Sequence, residues 1–127
     1  MNVRSESTET KLLPPKKTMA LAFAGGAIGS VLRWMIGEAF DTQVMLWMAN
    51  LAGTALLGFI NSHPWFNPEY RKQFWAVGLC GGFTTMSGLA VWQYSADFDL
   101  LEVGLLVAGG LLIYWLFRTT TARMLAK

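Results

Sequence analysis

The chain has 127 residues, of which 54% are hydrophobic and only 14% are charged. A net charge of +2, without a basic patch that contains aromatic residues, argues against a nucleic-acid partner. A single cysteine excludes a disulfide within the chain and a cysteine-based metal cluster. Four long apolar runs hold almost no charge, and the one at Val44–Ile60 has no polar face at helical spacing, which argues against a small soluble helix bundle.

The four apolar runs follow a polar N-terminal tail at residues 1–17. A bilayer core about 30 Å thick requires about 20 apolar residues of helix. The runs therefore predict transmembrane helices at residues 18–36, 43–62, 74–94 and 100–117, in one membrane domain at residues 18–117, before a basic tail at 118–127. A cleaved signal peptide would also combine Lys16 and Lys17 with an apolar run, but this run is long and three more follow.

The first two spans carry small residues four positions apart, Gly25 with Gly29 and Ala49 with Gly53. Such pairs allow helix backbones to approach closely in lipid, and tight packing is their simplest explanation. Asn50 is the one amide deep in a span. Its side chain either offers two N–H donors to an anion without carrying a charge, or bonds to another helix, and the residues alone favour neither.

The third span has a polar, glycine-rich centre. Four glycines and three hydroxyl residues fall within eleven positions: Gly78, Gly81, Gly82, Thr84, Thr85, Ser87 and Gly88. Each glycine weakens a helix by about 1 kcal/mol relative to alanine, so a break in this segment costs little. Freed carbonyls would suit a cation, whereas freed N–H groups and hydroxyls would suit an anion. A continuous helix, with the hydroxyls bonded to their own backbone, is an equally good interpretation.

No Asp, Glu or Lys lies deep in any predicted span. Proton-coupled carriers normally need an ionisable group inside the membrane, which weakens the alternative of a small four-helix multidrug exporter. The one histidine, His63, lies in a loop beside Pro64. Because the spans lack candidate acids and bases, we predict that the chain is not an enzyme.

The basic residues are concentrated on one side of the predicted spans. Of the ten Lys and Arg residues, nine lie in the two terminal tails and the second loop: Arg4, Lys11, Lys16, Lys17, Arg71, Lys72, Arg118, Arg123 and Lys127. The opposite side has only Arg33, together with the acidic residues Glu38, Asp41, Asp97, Asp99 and Glu102. The positive-inside rule therefore predicts one fixed orientation in the cell membrane, with both termini in the cytoplasm.

Three motifs occur in order on the first three spans. They are Gly25-Gly26-Ala27-Ile28-Gly29 with Arg33-Trp34, Asn50-Leu51-Ala52-Gly53-Thr54 with Gly58-Phe59, and Gly81-Gly82-Phe83-Thr84-Thr85 with Ser87. In these motifs, and over residues 21–117, the chain resembles the Fluc (CrcB) family of microbial fluoride channels. The resemblance implies an all-α integral membrane protein with four transmembrane helices, the third broken near its centre, in an antiparallel (inverted-topology) dimer.

The resemblance also implies a function and the residues that perform it. Members of the family pass fluoride passively out of the cell through two narrow pores along the subunit interface. The positions here that match the fluoride pathway are Arg33 near the vestibule, Asn50, Phe83, Thr85 and Ser87. A structural sodium ion (Na+), held by backbone carbonyls at the dimer interface, is expected at Gly81 and Thr84.

Three positions depart from the pore motif of the family. Met86 and Leu89 stand where the family has phenylalanines, whose ring edges carry partial positive charge and contact fluoride. Trp92 stands where the family has a glutamate. The fourth span also lacks the expected series of hydroxyls, with Tyr114 as the one hydroxyl residue at positions 111–115.

An inverted homodimer needs one sequence to insert in both orientations, which conflicts with the strong charge bias of this chain. The sequence therefore favours a heterodimer over a homodimer, with a second Fluc-type subunit in inverted orientation that supplies intact phenylalanines. The chain would then be one subunit of a fluoride-selective channel, surrounded by membrane lipid. The alternatives are a non-conducting structural partner of such a channel and a small four-helix multidrug exporter.

Overall fold

The structure is a computed structural model that describes residues 16–92 and 99–126, the side chain of Trp92 excepted. Helix α1 (Lys16–Ala39), helix α2 (Thr42–Ser62), a divided third span and helix α6 (Leu100–Leu125) follow one another. Each span is long and apolar enough to cross a membrane, and no strand occurs among the described residues. The predicted all-α class is thus confirmed. Residues 1–15 of the predicted tail at 1–17, residues 93 and 94 of the third span, the Trp92 indole and Lys127 lie outside the described part.

The third span, Glu69–Val91, is broken, as the resemblance to the Fluc family implies. It begins with α3 (Glu69–Lys72), continues as a π-helix (Gln73–Cys80) and α4 (Gly81–Phe83), and resumes as α5 (Met86–Trp92). Thr84 has a ψ of 158°, an extended conformation that ends the helix. The break therefore lies in the segment of glycines and hydroxyl residues, where helix propensity is low.

Helix α1 packs against the third span by direct contact between the two backbones. A β-carbon added to Gly25 would lie 2.2 Å from a backbone carbonyl oxygen of the third span, and one added to Gly82 would lie 2.2 Å from the carbonyl oxygen of Gly26. Gly29 and Gly78 meet backbone atoms in the same way, at 2.3 and 2.5 Å. No side chain fits these distances, so four glycines determine this contact, which we term the glycine crossing.

Helix α2 packs along α6 on the other side of the bundle. Gly58 brings the two helices together, because its added β-carbon would lie 2.5 Å from the Tyr114 carbonyl oxygen. Nearer the opposite end, Leu46 and Leu106 form a buried apolar cluster with Leu89 of α5. A groove lies between these two contacts.

The loop between α2 and the third span contains a 3₁₀ turn (Pro64–Phe66). The Nδ1 atom of His63 caps this turn by accepting the Trp65 N–H at 3.2 Å. The Arg71 guanidinium lies 4.0 Å from the centroid of the Trp65 ring and donates to the Trp65 carbonyl at 2.8 Å. His63 therefore has a structural role, and the loop forms an ordered aromatic cluster at this end of the bundle.

Helix α6 continues past residue 117, the predicted end of the fourth span, and reaches Leu125. The hydroxyls of Thr119 and Thr120 donate to carbonyls one turn earlier, which satisfies them within a helix. Arg123 in the last turn complements the helix dipole. The predicted basic tail at 118–127 thus begins inside a helix.

The outer surface of the bundle is apolar. Phe23 is 81% exposed and Leu100 is 74% exposed, and other large apolar side chains along the spans are exposed in the same way. Only 11% of the most apolar 18-residue segment of α1 is buried within the chain, and the buried share is the same in α6. Lipid or another helix can cover such a surface, whereas water solvates it poorly. The chain is therefore a multi-pass membrane protein.

Candidate functional site

The break in the third span frees backbone groups that a continuous helix would pair. The Thr84 carbonyl is one of them, because the N–H of Gly88 bonds instead to the Thr85 hydroxyl at 2.9 Å. The Arg33 guanidinium of α1 donates to this carbonyl at 2.9 Å. Gly29, one turn earlier in α1, allows the approach, since it lies in the glycine crossing. Arg33 therefore caps the first half of the broken span.

Asn50 of α2 pairs with the break from the other side. Its Oδ1 accepts the Thr85 N–H at 3.0 Å, which replaces the helical bond from that N–H to the Gly81 carbonyl. Its Nδ2 donates to the Leu46 carbonyl at 2.8 Å and to the Thr85 carbonyl at 3.4 Å. The amide thus bonds to another helical segment, one of the two roles that the sequence left open. An anion would have to displace the longer of its two donor bonds.

Thr85 starts α5 with its side chain. Its hydroxyl oxygen accepts the Gly88 N–H at 2.9 Å and lies 3.2 Å from the hydroxyl oxygen of Ser87. A threonine at a helix start commonly bonds to the backbone N–H three residues later, so the local sequence explains this cap. Thr85 is 7% exposed, whereas Ser87 is open to the surroundings. Two predicted pathway hydroxyls therefore lie together at the break.

A cavity of about 900 Å³ opens beside the break, and we term it the outer vestibule. Arg33, Thr85 and Ser87 line it, so the structure brings together three of the predicted pathway residues. The remaining lining comes from the start of α2 and from α5: Asp41, Thr42, Gln43, Met45, Leu46, Gly88 and Val91. The vestibule therefore lies toward the end of the bundle where α1 ends and α2 begins.

A second cavity, of about 400 Å³, lies between α2, α5 and α6, and we term it the inner groove. Its lining is largely apolar: Leu57, Met86, Leu89, Leu106, Val107, Gly110 and Leu111. Asn50, Thr54 and Tyr114 add polar atoms. The groove extends from the level of the break toward the end of the bundle where α2 and α6 both end.

The hydrogen bond between Asn50 and Thr85 separates the two cavities. Thr85 lines the outer vestibule and Asn50 lines the inner groove, and the bonded atoms are 3.0 Å apart. A small ion that moved from one cavity to the other would pass this pair. Along the way it would meet a guanidinium, hydroxyl groups and an amide; the vestibule lining also contains the Asp41 carboxylate, whereas the described lining of the groove contains no acidic side chain. This donor set suits an anion.

Phe83 lies apart from both cavities. It borders two apolar crevices, of about 330 and 390 Å³, that lie toward α1 and the first half of α2. The structure therefore does not group Phe83 with the other predicted pathway residues. Met86 and Leu89, which replace the expected phenylalanines, do line the inner groove, Met86 at 71% exposure and Leu89 at 6%.

The expected sodium ligands are the carbonyls of Gly81 and Thr84, on the first side of the break. Backbone carbonyl oxygens are suitable ligands for such a cation. Gly81 is exposed, and a β-carbon there would meet nothing within 4 Å. The Thr84 carbonyl already accepts from Arg33, which leaves it one lone pair. Two carbonyls of one chain fit a sodium ion only within a larger ligand set, so the ion stays a prediction that requires a second subunit.

Two sets of side chains at the cavities were not predicted from the sequence. The Glu102 carboxylate accepts the Trp47 indole N–H at 2.8 Å and also the Gln43 amide, which joins the starts of α6 and α2 beside the outer vestibule. The Tyr114 hydroxyl accepts the Asn61 amide N–H at 3.1 Å at the far end of the inner groove. The sequence did show Tyr114 as an isolated hydroxyl in an apolar run, which could have marked it as a candidate, but hydropathy cannot identify its partner Asn61.

These features define a class of protein: a membrane protein of four spans in which side chains from two helices pair with a break in a third, between two cavities. Residues 20–124 match the family described as CrcB-like protein, Camphor Resistance (CrcB). The chain belongs to this family. The resemblance stated from the three motifs is thereby confirmed.

Several relatives share one name. "Fluoride-specific ion channel FluC" of Pectobacterium atrosepticum is 35% identical over 104 residues, which cover 74% of this chain and 77% of the relative. The protein of that name from Paramagnetospirillum magneticum is 36% identical over 117 residues, or 78% of this chain and 91% of the relative. No solved structure matches the chain. Since the matched family members are named as ion channels, the prediction that the chain is not an enzyme is confirmed.

Proposed function

We propose that the chain is a subunit of a fluoride-selective channel that passively exports fluoride and lowers its cytoplasmic concentration. The main support is the position of the Asn50–Thr85 pair. It lies between the outer vestibule and the inner groove, so an ion that passes it meets the polar groups of the break. The names of the relatives, fluoride-specific ion channels, supply the identity of the ion.

The chemistry along this route suits a small, strongly hydrated anion. The Arg33 guanidinium attracts anions at the outer vestibule, against the opposing charge of Asp41 in the same lining. Neutral N–H and O–H donors further in can replace part of the hydration shell when they exchange a bond within the chain for one to the ion. Because they carry no full charge, they bind the ion weakly enough for it to leave again, as conduction requires.

We infer that the working unit contains a second Fluc-type subunit in inverted orientation, and that a heterodimer is favoured over a homodimer. Met86 borders the inner groove and is 71% exposed, so an inverted neighbour could complete the wall and contribute phenylalanines. The same neighbour would add oxygen ligands to those of Gly81 and Thr84 around a structural Na+. The sodium ion would then stabilise the contact between the two broken spans.

The charge bias supports a location in the plasma membrane with both termini in the cytoplasm. The described basic residues at the start of α1, near the start of the third span and near the end of α6 share one end of the bundle: Lys16, Lys17, Arg71, Lys72, Arg118 and Arg123. Cysteine labelling in whole cells tests this orientation, since Cys80 is only 2% exposed and can be replaced first by serine. A membrane-impermeant reagent outside should label Glu38→Cys and spare Lys72→Cys. Equal labelling of both would refute a single orientation and favour the homodimer.

Fluoride efflux from liposomes tests the function. The chain is reconstituted alone and together with Fluc-type subunits of opposite charge bias from the same cell. We expect at least one combination to pass fluoride, to exclude chloride and to need no proton gradient. Flux that requires a proton gradient would instead support a small multidrug exporter. The absence of fluoride flux from every combination would overturn the proposal.

A non-conducting structural partner subunit is the second candidate. Two observations favour it: Met86 and Leu89 replace the phenylalanines, and both N–H groups of Asn50 are engaged within the chain. In a conducting heterodimer, Asn50→Ala or Thr85→Ala in this chain lowers the flux if its own groove conducts. Unchanged flux with both variants would instead assign conduction to residues of the other subunit.

A further inference from the structure

The far end of the inner groove holds a polar pair that no motif of the sequence marks. Tyr114 of α6 lines the groove, and its hydroxyl oxygen accepts the Asn61 amide N–H of α2 at 3.1 Å. Asn61 thus occupies a lone pair of the phenol oxygen. The hydroxyl proton has no acceptor within hydrogen-bond distance among residues 16–92 and 99–126.

The side-chain protons of the other polar groups in the groove already take part in hydrogen bonds within the chain. The Thr54 hydroxyl bonds to carbonyls of its own helix, Asn50 at 2.8 Å and Leu51 at 3.0 Å. The Asn50 amide donates to the Leu46 and Thr85 carbonyls at 2.8 and 3.4 Å. Among the described side chains that line the groove, Tyr114 therefore has the one proton available to an anion without loss of an existing bond.

We propose that the Tyr114 hydroxyl is the hydrogen-bond donor that receives fluoride at the far end of the inner groove, and that Asn61 is the residue that positions it. This assignment rests on the proposed channel function. The phenol is a neutral donor, so it can contact a partly dehydrated anion without holding it as a cation would. The N–H that Asn61 donates to the phenol oxygen also polarises the O–H bond, which strengthens the phenol as a donor.

The assignment differs from a row of hydroxyls along the fourth span. The groove-lining positions of α6 before Tyr114 are Leu106, Val107, Gly110 and Leu111, none of which has a side-chain donor. Helix α2 supplies one amide at each end of the groove, Asn50 at the break and Asn61 beside Tyr114. The route in this chain therefore depends on α2 at both ends, with a single hydroxyl from α6.

The test is a pair of measurements on the assembled complex that passes fluoride most rapidly. Fluoride efflux is compared for wild type, Tyr114→Phe and Asn61→Leu, with Tyr70→Phe as the matched control on the exposed start of the third span. Removal of a hydrogen bond to a charged group should lower the flux about tenfold in Tyr114→Phe. A smaller loss is expected in Asn61→Leu, because the hydroxyl remains but is no longer held. Tyr70→Phe should match wild type.

Binding is followed separately by NMR with tyrosine labelled at the ζ-carbon, which bears the hydroxyl. Fluoride, but not chloride, should shift the resonance that disappears in Tyr114→Phe and leave the Tyr70 resonance in place. If wild type conducts while Tyr114→Phe conducts equally and no resonance responds, the assignment is overturned and the channel function stands. If no wild-type complex conducts, the channel function itself fails.

Discussion

The glycine crossing between α1 and the third span differs from the contact between α2 and α6 in what the helices touch. At the crossing, β-carbons added to Gly25 or Gly82 would lie 2.2 Å from backbone oxygens, so the two backbones meet directly. Helices α2 and α6 come this close at Gly58, but along the groove a β-carbon added to Gly109 or Gly110 would meet side-chain atoms at 3.7 Å. The glycine crossing has no room for a methyl group at four positions, whereas α2 and α6 have one such position, Gly58, and leave a groove beside it.

This difference explains how a broken helix persists inside a membrane. Unpaired backbone groups are costly in hydrocarbon, so they must be paired within the protein. The glycine crossing brings Arg33 to the Thr84 carbonyl, and α2 brings Asn50 to the Thr85 N–H. The glycine crossing thus holds the first half of the break in place. The looser packing between α2 and α6 leaves the inner groove beside the break.

A matched pair of alanine substitutions should produce the largest effect. Gly82→Ala places a methyl group against the Gly26 carbonyl, whereas Gly81→Ala, one residue earlier, meets nothing within 4 Å. Because backbone cannot move aside as a side chain can, Gly82→Ala should cost about 3 kcal/mol or more. Thermal unfolding in detergent measures both variants. Equal stability of the two would show that the crossing is not tightly packed.

Replacement of Asn50 tests the groove side. Asn50→Ala leaves the Thr85 N–H and carbonyl without their partner, at a cost of about 1–3 kcal/mol, and should lower fluoride flux at least about tenfold. Thr54→Val is the matched control in the same groove, because its hydroxyl bonds only to its own helix. A similar loss of flux in both variants would mean that the shape of the groove, rather than the amide, controls conduction.

Two substitutions of Arg33 separate its charge from its hydrogen bond to the Thr84 carbonyl. Arg33→Lys keeps the positive charge but lacks the rigid guanidinium, and should lose about 1.5 kcal/mol of stability. Arg33→Gln also removes the charge. Salt screens the attraction of anions to the vestibule, so flux should fall with ionic strength in wild type and in Arg33→Lys, and less in Arg33→Gln. If flux through Arg33→Gln depended on salt as strongly as flux through wild type, Arg33 would have no electrostatic role in conduction.

Two of the three departures in α5, Met86 and Leu89, should respond differently to phenylalanine. Leu89 is 6% exposed and packs with Leu46 and Leu106, so Leu89→Phe should overpack this cluster and cost about 1 kcal/mol. Met86 is 71% exposed, and Met86→Phe should change stability by less than about 0.5 kcal/mol. Thermal unfolding of the single chain measures both. The reverse order of effects would place Leu89, rather than Met86, on the open side of the groove.

Much of the fold could be predicted from local properties of the chain. Hydropathy alone identifies the four spans, because a helix in lipid must be apolar over its length. The glycines near Thr84 and Thr85 lower the cost of a break there but left a continuous helix equally possible, and the resemblance to the Fluc family decided for the break. The π-helical part of the third span, Gln73–Cys80, was not predicted. Its sequence is apolar after Gln73, and no local pattern distinguishes it from an α-helix.

The candidate site was predictable as a set of residues but not as an arrangement. Arg33, Thr85 and Ser87 do share the outer vestibule, and Asn50 lies on the other side of its bond to Thr85. Phe83, which the motif placed with them, lies elsewhere. A motif specifies residue types at spacings along the chain, whereas the direction of a side chain near a break depends on the helices packed against it.

The sequence by itself determined the membrane class, the four spans and the segment of the third span in which a break costs little, since each depends on residues close together in the chain. The tertiary structure alone decided which donors are occupied and which remain available. Arg33 bonds to a carbonyl 51 positions away, and Asn61 bonds to a hydroxyl 53 positions away. Such pairs exist only after the helices cross, because neither partner has a local reason to prefer the other.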